Sequence, residues 1–116
     1  MKNLIGLIII LLFANKTYAQ NGCIPKLSED SFTQELKKIK SYDFDNAKIK
    51  AIEVIITKCI NSFQLKILLE ELSFEQDKLD IIKKAYLKVS DPPNFKIIKS
   101  ILDFEESKKV VDKLMT

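Results

Sequence analysis

Beyond residue 30, apolar residues recur three and four positions apart, with polar residues between them. One segment carries Ala51, Ile52, Ile55, Ile56 and Cys59 on one side, with Lys50, Glu53 and Thr57 opposite. The next carries Leu65, Leu68, Leu69 and Leu72, and a fourth sets Ile82, Ala85, Tyr86 and Val89 against Asp80, Lys83 and Lys84. Ile97, Ile98, Ile101 and Leu102, and then Val110, Val111, Leu114 and Met115, repeat the stripe. Such i, i+3, i+4 faces predict amphipathic helices, and no two-residue alternation competes with them. Asp91-Pro92-Pro93-Asn94 ends the fourth helix, because a residue before proline avoids the helical region and proline donates no hydrogen bond. The fold class is therefore all-α.

The punctuation between stripes is regular. Each phenylalanine beyond residue 19 follows Ser, Asp or Asn, in the pairs Ser31-Phe32, Asp43-Phe44, Ser62-Phe63, Ser73-Phe74, Asn94-Phe95 and Asp103-Phe104. Those preceding residues are preferred N-caps, since their side-chain oxygens accept from the free N–H groups of a first turn. Gln34, Gln76 and Glu106 complete capping boxes with Ser31, Ser73 and Asp103. Six caps predict six helices, each opening with Phe, alternately short and long. Phe44, Phe74 and Phe104 recur every 30 residues, and Asp43-Phe44-Asp45 aligns with Ser73-Phe74-Glu75 and Asp103-Phe104-Glu105. A period of this length built from helix pairs predicts three helical hairpins. The pattern leaves open whether they close into a bundle or stack as a short solenoid.

The first 19 residues read differently. A positive start (Met1-Lys2-Asn3), an apolar run from Leu4 to Phe13 and small residues around Thr17-Tyr18-Ala19 follow the plan of a secretory signal. Cleavage is expected after Ala19, and the apolar run is too short to serve as a membrane anchor. The expected division is thus a signal at 1–19, an N-terminal extension at 20–30 and a helical repeat domain at 31–116. That predicts export to the periplasm or medium, with no stable membrane span afterwards. The whole chain of 116 residues carries a formal charge of +3, but the signal holds two of its lysines, so residues 20–116 are nearly neutral. A basic pI is then no argument for nucleic acid. All 19 basic residues are Lys and none is His, which removes the usual groups for phosphate forks and acid–base catalysis.

Export makes a disulfide between the two cysteines, Cys23 and Cys59, chemically permissible. The alternative is that Cys59 serves as a small apolar residue of its stripe and Cys23 stays free. No histidine is present to activate either thiol. Asp43-x-Asp45-Asn46 resembles the start of a calcium loop but lacks its Gly and closing Glu, so it reads as acids at a helix start. Glu70, Glu71, Glu75 and Asp77 could supply an acid pair for glycoside hydrolysis, but they flank a turn and read as solvated surface. The pairs Lys37-Lys38, Lys83-Lys84 and Lys108-Lys109 lie away from the apolar stripes. Tyr42 and Tyr86 are placed at the core or its rim. No catalytic residue, metal ligand or cofactor is expected.

The segment Ser62-Phe63-Gln64-Leu65-Lys66-Ile67-Leu68, with Leu72-Ser73-Phe74-Glu75, Lys78-Leu79, Lys84-Ala85-Tyr86 and Asp91-Pro92-Pro93-Asn94-Phe95, makes a recognisable pattern. Through these residues the stretch from about Phe32 to Met115 resembles a bacterial family of exported helical proteins known as domain-of-unknown-function family 4476. Members usually carry Arg-Leu after the acidic turn, where this chain has Lys48-Ile49 and Lys78-Leu79. The resemblance implies an envelope or secreted location and no known reaction. Two functional expectations follow. Helical hairpins present a surface for a protein or peptide partner, by analogy of architecture. The alternative is a small carrier holding an apolar ligand or lipid between helices.

Overall fold

Ser28 opens the first helix of the computed structural model, which describes residues 22–116; the expected signal segment lies outside them. Its hydroxyl accepts from the Ser31 N–H at 3.2 Å. Glu29 and Asp30 then face the positive end of helix α1 (Glu29–Lys40), while Lys37, Lys38 and Lys40 face its negative end. Helix α2 (Asp45–Ile55) continues as a 3-10 turn to Lys58, and α3 runs over Ser62–Leu69. Helix α4 (Glu75–Ala85) likewise ends in a 3-10 turn, Tyr86–Lys88. A 3-10 segment over Pro92–Ile101 and helix α5 (Glu105–Leu114) complete the chain. Among the described residues there is no strand. The all-α expectation holds, with six successive helical segments when the 3-10 segment is counted.

The helix starts need correction. None of Ser31, Asp43, Ser62, Ser73, Asn94 and Asp103 is an N-cap; the cap positions are Ser28, Phe44, Asn61, Phe74, Asp91 and Phe104. The one capping box formed among the described helices joins Asn61 and Gln64. The Gln64 N–H donates to Asn61 Oδ1 at 2.7 Å, and the Asn61 N–H donates to Gln64 Oε1 at 2.9 Å. Phe44, Phe74 and Phe104 hold extended cap conformations with no side-chain oxygen to offer. At two of these starts the residue expected to cap is turned to the preceding hairpin: the Ser73 N–H and hydroxyl donate to Asp45, and the Asp103 N–H donates to Glu75. The expected short-long alternation is also uneven, since α1 is no shorter than the α-helical part of α2.

The apolar stripes meet in one core. Ile52, Ile55, Leu65, Leu68, Leu69, Ile82, Ala85, Phe95, Ile98 and Val111 are fully buried, joined by Phe32, Ile39, Ile56 and Ile60. In the fifth segment a period of three places Phe95 and Ile98 on one buried edge, with Ile101 half-buried beside them. This is the period of a 3-10 helix, and it follows directly on Pro92 and Pro93. Tyr86 sits at the core rim, its ring edge-on to Phe95 with centroids 5.0 Å apart. Helix α3 packs most extensively against the 3-10 segment, while α2 meets α4 and α4 meets α5. Consecutive hairpins therefore lie side by side, with two opposed ends where their loops gather.

Candidate functional site

At one end, the chain is pinned from outside the helices. Cys23 and Cys59 form a disulfide, with Cα atoms 5.6 Å apart across a sequence separation of 36. Cys59 takes the left-handed conformation that ends the second helix, a position glycine usually fills. Its carbonyl accepts the Leu27 N–H at 3.0 Å, so the N-terminal strap is held covalently and by backbone. Gly22 lies so close to the Val89 and Ser90 carbonyls that an added Cβ would come within 2.6 Å of both, and its φ is +95°. The Ser90 N–H donates to the Ile60 carbonyl at 2.9 Å. Asp91 completes the join: its Oδ1 accepts from the Ser62 N–H at 2.7 Å and the Ser62 hydroxyl at 2.9 Å.

The opposite end is built from acids at the start of each second helix. Asp45 accepts the Ser73 N–H at 2.8 Å. Its counterpart Glu75 accepts the Asp103 N–H at 2.6 Å, the Phe104 N–H at 3.1 Å and the Ser107 hydroxyl at 2.7 Å. Burial pushes the Glu75 carboxyl up, but those three donors and the Lys78 charge outweigh it and hold the group below the usual carboxylate range. Glu71 accepts from Lys40 at 3.0 Å and lies 3.7 Å from Lys48. On the helix flanks, Lys84 pairs with Glu53 at 2.6 Å; that hydrogen bond and charge raise the Lys84 pKa. The links Asp45–Ser73, Glu75–Asp103, Ser62–Asp91, Lys40–Glu71 and Glu53–Lys84 all span 28 to 31 residues.

These contacts dispose of the acidic motifs. Asp45, from the calcium-like stretch, is a backbone acceptor. Glu71 and Glu75, expected with Glu70 and Asp77 to be solvated surface, instead engage the previous and the next hairpin respectively. Among the described residues no cluster of three or more His, Cys, Asp or Glu is arranged to hold a metal ion. Of the lysine pairs, Lys84 and Lys108 are engaged by Glu53 and Glu105.

What remains at this end is apolar. Phe44, Phe74 and Phe104 are 77%, 66% and 64% exposed. They occupy the same place in three successive hairpins, and the Asp45 and Glu75 links bind each tip to the next. Phenylalanine is a poor choice there, since Ser, Asp or Asn at an N-cap would stabilise each helix by about 1 kcal/mol. The 30-residue spacing of these rings is legible in the sequence, but it reads as a mark of helix starts rather than as surface. Phe63, also exposed, stands at the other end, with the Lys66 ammonium 5.7 Å from its ring centroid.

Two surface depressions share Leu87 in their lining, and neither touches the three phenylalanines. One, about 570 Å³, lies beside the disulfide and is lined by Ile24, Pro25, Ile56, Leu87, Lys58 and Lys88. The other, about 630 Å³, opens between α4 and α5 over Tyr86, Leu87, Val110 and Leu114, with Lys83 and Lys113 at its edge.

Helix, staple and hairpin links together define a disulfide-closed, all-α domain with no strand among its described residues. The chain belongs to the family described as Domain of unknown function (DUF4476), which it matches over residues 26–115. A search of the curated proteins and a search of the solved structures each found no significant match.

Proposed function

We propose that this chain is an exported, non-enzymatic module that binds a protein or peptide, with its three hairpins stacked as a short scaffold. The observation that carries the reading is the row of exposed phenylalanines at Phe44, Phe74 and Phe104. Other large apolar residues are exposed too, Ile24, Val54, Phe63 and Leu87 among them, but Phe44, Phe74 and Phe104 recur at the same place in three successive hairpin loops, which supports a surface held for contact. Asp45, Glu71 and Glu75 beside that surface are engaged by backbone N–H groups and lysines, and the chain has no histidine, which supports binding over catalysis. The disulfide and the signal-like residues 1–19 support export, and no described helix is long and apolar enough to cross a membrane. Nucleic acid is not the expected partner, because the lysines are interleaved with acids.

The test has two parts. Intact mass of the protein recovered outside the cytoplasm should begin at Gln20; a species still starting at Met1 contradicts cleavage after Ala19. Affinity capture from envelope and medium extracts, analysed for proteins and lipids together, should return a saturable protein partner. Stoichiometric lipid without protein would favour the second reading, an apolar-ligand carrier. The depression over Tyr86, Leu87, Val110 and Leu114 is the observation that favours this reading, with Lys83 and Lys113 placed for an anionic head group.

A further inference from the structure

We infer that the row Phe44, Phe74 and Phe104 is the docking surface itself, and that its occupant is an extended protein segment carrying basic residues between regularly spaced apolar ones. This rests on the protein-binding reading and gives it a surface and a partner chemistry. The rings form one row because their backbones are tied together: the Ser73 N–H to Asp45, and the Asp103 and Phe104 N–H groups to Glu75. Packed helices lie about 8–10 Å apart, so three tips make a track of roughly 20 Å. An extended polyproline-like segment advances about 9 Å in three residues, which brings every third side chain over the next ring.

Charge selects the occupant. The loops and first turns at 41–48, 70–78 and 103–108 hold nine carboxylates and three lysines. Lys48 is paired with Glu71 and Lys108 with Glu105. Asp43 and Asp103 are exposed directly before their phenylalanines, and Glu106 is exposed two residues after Phe104. A basic segment is attracted to such a rim, and an acidic one is repelled. The same argument disfavours a second copy, since two rows brought together would oppose their carboxylates.

The segment class is tested with synthetic peptides of about 12 residues against the purified chain. One repeats Leu-Lys-Ser, which places an apolar group every third residue with a base beside it; the control repeats Leu-Glu-Ser. Calorimetry or fluorescence anisotropy should show the lysine peptide binding and the glutamate peptide not binding. Each of F44S, F74S and F104S should weaken binding about tenfold, and the triple variant should abolish it. D43N, D103N and E106Q together should weaken it severalfold and flatten its salt dependence, while leaving the Asp45 and Glu75 links intact. Equal binding of the lysine peptide to the triple variant overturns the surface but leaves a binding module. Tighter binding of the glutamate peptide overturns the partner chemistry. A wild-type dimer in sedimentation that is lost in the triple variant assigns the row to self-association and overturns the inference. Binding of neither peptide overturns this segment class alone; the module reading then stands or falls on the capture of a partner from envelope and medium extracts.

Discussion

The two ends of the helical domain solve the same problem in opposite ways. At the strap end a disulfide, a glycine against two carbonyls and a buried-edge aspartate join three loops. At the tip end the loops are joined by the carboxylates of Asp45, Glu71 and Glu75, and phenylalanine stands where a capping residue would help. One end is built for holding together. The other gives up local stability at three equivalent positions and keeps large rings at solvent. Where a chain breaks the same local rule at three successive hairpin tips, contact with something else is the economical explanation.

That contrast can be broken at the strap end first, where effects are largest. Replacing both cysteines with serine should lower stability by about 4 kcal/mol in the chain-entropy picture, read as a shift in urea midpoint. The tips should then keep their binding, if the ends are independent. Next in size is Asp91→Ala, which leaves the Ser62 N–H and hydroxyl without their charged acceptor. A loss of about 2 kcal/mol is expected, measured by the same titration.

The tip end is sharpened by pH. Glu75 has a folded pKa below its ordinary value of 4.5, so it binds its proton less readily when folded. Its contribution is fully present above about pH 4.5 and is lost as pH falls through the lowered folded value. The stability gap between wild type and Glu75→Gln should therefore be widest near neutrality and close in acid. A gap independent of pH would mean that Glu75 acts by packing alone. Lys84 behaves in the opposite sense: its raised pKa gives a contribution present below 10.5 and lost as pH rises through the folded value.

What is legible in the sequence follows from what each feature depends on. The stripes through Ile52, Leu65, Ile82 and Val111 are readable because burial imposes a local period. The disulfide is readable as a candidate because the chain has only two cysteines, although the geometry that pairs Cys23 with Cys59 is tertiary. Ser73 and Asp103 are turned toward Asp45 and Glu75, each 28 residues away, and there the helix start moves one residue on to Phe. No local pattern signals that. The 3-10 winding over Pro92–Ile101 is hidden because Ile97, Ile98, Ile101 and Leu102 also satisfy helical spacing, and the deciding residue is Phe95. The phenylalanine row is visible as spacing, but its exposure depends on which side of the stack the tips face.

If the three rings are kept for contact and not for folding, the fold should not miss them. Urea denaturation of the triple variant F44S/F74S/F104S tests this most directly. Serine supplies the missing cap oxygen at each helix, so the midpoint should hold or rise, by about 0.5–1 kcal/mol per site at most. A fall of more than about 1 kcal/mol would show that the rings support the fold, and would contradict their assignment to a contact surface.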